Sequence, residues 1–174
     1  MRPNVTSGNG REENERSAQG SGAPLRWTEF LHAGQVFVSS KPNRVLTILG
    51  SCVSVCLWEA GIGVGGMNHF LLPRGPETGT SALRFGNGAV MILIEKLQAL
   101  GCRKRELRAK VFGGAHVLEV QRSDSIHLGE KNAEVAFRIL EAEQIPVIAQ
   151  DVGGCKGRKL MFSVADGYAW VKRI

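Results

Sequence analysis

The stretch from Gln35 to Leu72 is cut into short apolar, β-branched runs, and no other feature limits the possible folds of this chain as much. Gln35-Val36-Phe37-Val38-Ser39 alternates as a half-buried strand does, Lys41-Pro42-Asn43 turns the chain, and Arg44-Val45-Leu46-Thr47-Ile48-Leu49 is an apolar run of strand length. Gly50-Ser51-Cys52 interrupts that run. Val53-Ser54-Val55-Cys56-Leu57-Trp58 resumes it, Glu59-Ala60-Gly61 turns, and Val64 to Leu72 reads as a further strand ended by Leu72-Pro73-Arg74-Gly75-Pro76. The first half is a β-rich meander.

The hydrophobic period changes beyond the loop from Pro73 to Gly86, which is long for a compact domain and is expected to lie over a functional cleft. Asn87 is a candidate N-cap. Ala89, Val90, Leu93, Ile94, Leu97 and Leu100 follow at helical spacing, and Gly101 supplies the stop. Leu107, Ala109 and Val111 alternate with Arg108 and Lys110, predicting a strand that ends at Gly113-Gly114. A second helix is predicted over Glu130 to Glu143, burying Ala133, Ala136, Phe137 and Leu140 and halted by Ile145-Pro146. Pro146 to Gln150 is a strand, Gly153 to Gly157 a loop, and Leu160 to Ile174 a hairpin turning at Asp166-Gly167. Strands, helix, strand, helix, strands, without an internal repeat, predict an α/β sandwich: one mixed sheet with two helices packed on a face.

A length of 174 residues with 43% hydrophobic content suits one folded domain and excludes a disordered or collagenous chain. Residues 1–26 hold almost nothing that could be buried and are expected to be a disordered tail, leaving residues 27–174 as the domain. No apolar run approaches the roughly 18 to 20 residues of a membrane-spanning helix, and no secretory h-region is found, so cytoplasmic residence is expected. The formal net charge of +6 favours acidic or polyanionic partners without specifying any chemistry.

Chemistry concentrates at Gly50-Ser51-Cys52 and at His69, within Gly65-Gly66-Met67-Asn68-His69-Phe70. Small residues ahead of a cysteine allow a sharp turn that presents the sulfur at a sheet edge, with backbone N–H groups facing a developing oxyanion. An adjacent imidazole would stabilise the thiolate by ion pairing and return its proton to a leaving group. Cys56 and Cys102 read as small buried hydrophobes, and His116 and His127 as satisfied core histidines. A strand from Cys52 to Cys56 holds the two about 13 Å apart, too far for one zinc ion or a disulfide. The basic run Arg103 to Lys110 lacks interleaved aromatics and reads as a solvated face, not a specific nucleic-acid site. Neither a Walker loop nor a dinucleotide fingerprint is found.

Taken in order, the motifs resemble one family. Thr47 to Leu57, Gly65 to Pro73, Lys110 to Ala115, Leu128 to Asn132, and Asp151 to Gly154 with Gly157-Arg158-Lys159 are similar to CheD, the chemoreceptor glutamine deamidases of bacterial and archaeal chemotaxis. The resemblance runs from about residue 30 to the C-terminus. It implies an α/β sandwich similar to the core of the cytotoxic necrotizing factor deamidases, with a Cys-His pair and a hydroxyl residue. It also implies conversion of receptor Gln to Glu by acyl transfer, without metal or organic cofactor. Cys52 takes the place of the nucleophile and His69 that of base and acid. The family's threonine falls where this chain has Leu46, so Thr47, the third candidate, is offset by one. On a regular strand one residue reverses the side-chain direction, so either a bulge returns Thr47 to the site or the third group is dispensable. Implied partners are receptor cytoplasmic domains and a CheC-type phosphatase, and some members hydrolyse receptor methyl esters. The rival reading is a non-catalytic adaptor binding the same partners.

Overall fold

The computed structural model describes residues 28–116 and 128–174, so the expected tail and His127 lie outside the described residues. Its elements are β1 (Thr28–Phe30), β2 (Gln35–Ser39), β3 (Arg44–Leu49), β4 (Val53–Glu59), β5 (Val64–His69), α1 (Gly86–Ala99), β6 (Arg108–Gly113), α2 (Leu128–Ala142), β7 (Val147–Val152), β8 (Arg158–Ser163) and β9 (Ala169–Arg173).

The mixed α/β character and the two helices agree with expectation; the single sheet does not. The strands form two mixed sheets, ordered β1-β3-β8-β9 and β2-β5-β4-β6-β7. The meander is divided between them, because Gly50-Ser51-Cys52 is where the chain leaves one sheet for the other. Periodicity identifies a strand by its local alternation; which strand it bonds to depends on residues far away in sequence.

Two cores result. Val53, Val55 and Leu57 of β4 face the helices and meet Leu93 and Leu97 of α1 and Ala136 and Leu140 of α2. Cys56, Met67, Phe112, Leu160 and Phe162 fill the layer between the sheets, with Cys52 and Trp58 packed against it. β4 is thus buried on both faces, which is why it reads as a continuous apolar run. Each fully buried leucine contributes about 1.5–3 kcal/mol relative to exposure. A side chain at Gly66 would meet the Phe37 carbonyl at 2.4 Å and Leu93 at 3.0 Å, so its absence lets β2 and α1 close on β5.

α1 begins at Gly86, and Phe85, not Asn87, occupies the cap position without a side-chain cap. Asn87 instead ties down the preceding loop: its Oδ1 accepts from Gly75 N–H at 3.1 Å, and its Nδ2 donates to Gly75 O at 2.9 Å and Glu77 Oε1 at 3.0 Å. Short amide side chains bond locally to backbone, and here that bond was worth more to the loop than to the helix end. Gly101, at φ 96°, ends α1 as expected. The basic run is laced to its surroundings, Lys104 pairing with Glu143 at 2.9 Å and Lys110 Nζ donating to Gly167 O at 2.6 Å. Among the described residues, no helix is long and apolar enough to cross a membrane.

Candidate active site

β4 and β5 pair antiparallel from Glu59↔Val64 to Cys56↔Met67, and a final rung joins Val53 to Phe70. Between those rungs Asn68 replaces the ladder: its Oδ1 accepts from Val55 N–H at 2.8 Å, and its carbonyl accepts from Ser54 Oγ at 2.5 Å. This register sets His69 opposite Ser54 and on the diagonal from Cys52, a step at which paired backbones lie about 7–8 Å apart. Met67 and His69 share the strand face that looks into the layer between the sheets, where Cys52 also packs.

Thr47 arrives from the facing sheet. β3 pairs with β8 in unbroken register from Arg44↔Ser163 to Leu49↔Arg158, and Val45, Thr47 and Leu49 all turn inward. No bulge is present, and none is required, because regular alternation already points Thr47 at β5. Thr47 Oγ1 donates to Leu31 O at 2.8 Å and lies 2.8 Å from His69 Nδ1. A hydroxyl has one proton, and Leu31 takes it, so Nδ1 carries the imidazole proton and donates to Oγ1. The lone pair is then on Nε2, which is buried and without a hydrogen-bond partner among the described residues.

Cys52 is half-buried. Burial pushes its thiol above the ordinary value, opposed by its own backbone N–H. Burial likewise pushes the His69 imidazole below its ordinary value; the Leu31 carbonyl opposes this and His32 adds to it. Both directions favour an uncharged thiol and an uncharged imidazole over the ion pair that the residue types alone suggest.

The cysteine turn is held by main chain. Gly114 N–H donates to Cys52 O and Ala115 N–H to Gly50 O, each at 2.8 Å. A side chain at Gly113 would meet Cys52 O at 2.2 Å, and one at Gly114 would meet Gly129 O at 2.7 Å; both residues also have positive φ, so only glycine fits. The N–H groups of Ser51 and Cys52 donate to no backbone carbonyl among the described residues. From α2, buried Asn132 donates to Ser51 O at 2.9 Å and Leu71 O at 2.8 Å. In the sequence Asn132 is visible only as part of a motif; an amide on the apolar face of a helix, beside Ala133 and Ala136, is its physical signal. Arg158, 2% exposed, bonds Asp151 and Gly153 O and shapes the loop that follows β7; in the sequence it shows only as part of a motif.

The loop from Pro73 to Gly86 folds back onto the end of β5, with Leu71 and Leu72 N–H donating to Arg84 O and Gly86 N–H to Leu72 O. Beside it a cleft of about 450 Å³ is lined by Pro73, Arg74, Lys131, Glu134, Val135 and Arg138. Cys56 and Cys102 are buried, burial and neighbouring Glu59 pushing the latter's thiol up to about 11. His116 is not in the core; at its rim, it is satisfied by Glu130 at 3.0 Å.

Fold and site together define a class: an α/β protein of two packed sheets, with a thiol, an imidazole and a hydroxyl at one end of the layer between them. The family model described as CheD chemotactic sensory transduction matches residues 71–173. A relative from Anaeromyxobacter dehalogenans, named probable chemoreceptor glutamine deamidase CheD 1, is 50% identical over 145 residues, covering 83% of this chain and 84% of its own. Relatives of the same kind from Sulfurimonas denitrificans (38% identical; 84% of this chain, 94% of its own) and Trichlorobacter lovleyi (41% identical; 87% and 93%) agree. The chain belongs to the CheD family. Among solved structures, the Bacillus licheniformis hypothetical protein YfiH aligns at TM-score 0.46 and 15% identity over 69% of this chain and 51% of that one, too loosely to carry an argument.

Proposed function

We propose that this protein is a protein-glutamine deamidase that converts glutamine side chains of chemoreceptors to glutamate, with Cys52 as nucleophile, His69 as base and acid, and Thr47 as the group that orients His69. The contact that carries the reading is Thr47 Oγ1 to His69 Nδ1 at 2.8 Å, since it leaves Nε2 unprotonated on the face that Cys52 shares.

Nε2 takes the Cys52 proton as sulfur attacks the carboxamide carbon, so charge separates only when the bond forms, as suits a pair that burial keeps neutral. The tetrahedral oxyanion is met by backbone N–H groups of the Ser51-Cys52 turn. The imidazolium, held through Nδ1 by Thr47, then protonates the departing ammonia. Water, deprotonated by Nε2, hydrolyses the thioester to give glutamate and the free thiol. No step calls on a metal or an organic cofactor. The relation to the cytotoxic necrotizing factor core, the cytoplasmic setting and a CheC-type phosphatase as partner belong to the same proposal, supported by the ordered motifs of the family.

Mass spectrometry of a chemoreceptor cytoplasmic fragment incubated with the protein tests the reading. The expected result is a gain of roughly one dalton per modified glutamine, absent with Cys52→Ala. Binding of the receptor without that gain would instead favour the adaptor reading.

A further inference from the structure

In an antiparallel ladder the pairs that exchange both hydrogen bonds recur every second residue. Val53 and Phe70 form such a pair, Val53 N–H to Phe70 O at 3.1 Å and Phe70 N–H to Val53 O at 3.0 Å. The next would join Ser51 to Leu72, and it is missing. Leu72 N–H donates to Arg84 O and Leu72 O accepts from Gly86 N–H, so β5 has turned away where β4 leads back to Cys52. The gap is filled by one side chain. Asn132, fully buried, places its Nδ2 against both Ser51 O and Leu71 O. Two carbonyl acceptors fix which end of the amide faces them, and Oδ1 is left buried without a partner among the described residues. An amide whose acceptor goes unmet is there for its two donors.

The peptide plane adds the consequence. Ser51 C=O and Cys52 N–H belong to one trans peptide unit and point in opposite directions, so holding the carbonyl sets the direction of the N–H. That N–H belongs to the residue whose sulfur would attack, and so adjoins the carbon at which an oxyanion would form.

We infer that Asn132 is a positioning residue: by bridging Ser51 O to Leu71 O where the Ser51–Leu72 rung is missing, it aims the Cys52 N–H at the developing oxyanion and ties the cysteine turn to the chain leaving His69. The inference rests on Cys52 being the nucleophile of the deamidation.

Its test separates two reactions of the same thiol. Alkylation by iodoacetamide develops no oxyanion, whereas acyl transfer does. In folded Asn132→Ala, kcat for deamidation of the receptor fragment is expected to fall about tenfold to a hundredfold, with KM unchanged. The Cys52 alkylation rate and its pH profile are expected to stay within about twofold of wild type, with exposed Cys155 as internal reference. Equal losses in both reactions, or in neither, would overturn the inference, because Asn132 would then support the general fold or nothing. Should Asn132→Ala not fold, the wild-type protein decides. Its Asn132 carboxamide protons are expected to exchange slowly with water and to shift when a glutamine-derived peptide aldehyde adds to Cys52; fast exchange or no shift overturns the inference. Full activity in Cys52→Ala would sink the nucleophile reading and the inference with it, whereas parallel losses sink the inference alone.

Discussion

Cys52 and Cys56 stand four residues apart on one line of chain, and both pack into the layer between the sheets, yet they occupy different chemical environments. Around Cys56 the ladders are closed on both sides, to Met67 of β5 and Lys110 of β6. It is 1% exposed, and burial drives its thiol far above the ordinary range against the pull of Lys110 and Ser54. Around Cys52 the ladder has opened: β5 has turned away, Asn132 occupies the gap, and among the described residues two backbone N–H groups are left without backbone acceptors. The difference is one of hydrogen-bond closure, since residue type and strand face are the same. A closed ladder makes a cysteine a core residue, and an opened one leaves it half-buried beside unpaired backbone.

The comparison breaks if the two sulfurs react alike. With iodoacetamide near neutral pH, Cys52 is expected to label in the native protein while Cys56 waits for unfolding. The expected ratio of rates is at least about a thousandfold, the least that ordinary domain stability enforces on a core group. Comparable native labelling of Cys56, followed by peptide mass spectrometry, would remove the distinction. Thr47 sharpens it from the facing sheet. Thr47→Val keeps the shape but removes the acceptor that holds Nδ1–H, and kcat is expected to drop about tenfold to a hundredfold with KM unchanged. Thr47→Ser should restore most of it; a Val variant with full kcat would show that His69 needs no such partner. The smallest effect is in pH. His69 is held below its ordinary value of about 6.5, so the neutral base persists as pH falls through that value, and the acid limb of kcat/KM lies below it. Activity at pH 6.5 should therefore stay above about 55% of its pH 7.5 level, the ratio that an imidazole of ordinary value would give; a drop to that ratio or below would mean an ordinary or raised imidazole.

The two helices, the stop at Gly101 and the closing hairpin could be read because each is a local pattern of apolar spacing and backbone freedom. Asn87 misled because its amide had two local uses, capping α1 or bonding Gly75 and Glu77, and spacing cannot weigh them. Thr47 was hard for another reason. Its inward direction is ordinary alternation on β3, but the residue it meets lies on a strand of the other sheet, and expecting one sheet hid that meeting. Asn132 reaches Ser51 and Leu71 from 81 and 61 residues away, a distance no window of sequence covers.

By itself, then, the chain's order of residues determined that it would form short strands and two amphipathic helices, that a flexible Gly-Ser turn would carry a thiol, and that an imidazole would follow on a nearby strand. These depend on φ/ψ freedom, side-chain period and functional groups, which are properties of residues and their immediate neighbours. Only the tertiary structure decided that the strands divide into two sheets, that Thr47 of one sheet holds His69 of the other, and that Cys52, not Cys56, faces an opened ladder. Those outcomes depend on which distant backbone groups find each other and on how much water is excluded when they do.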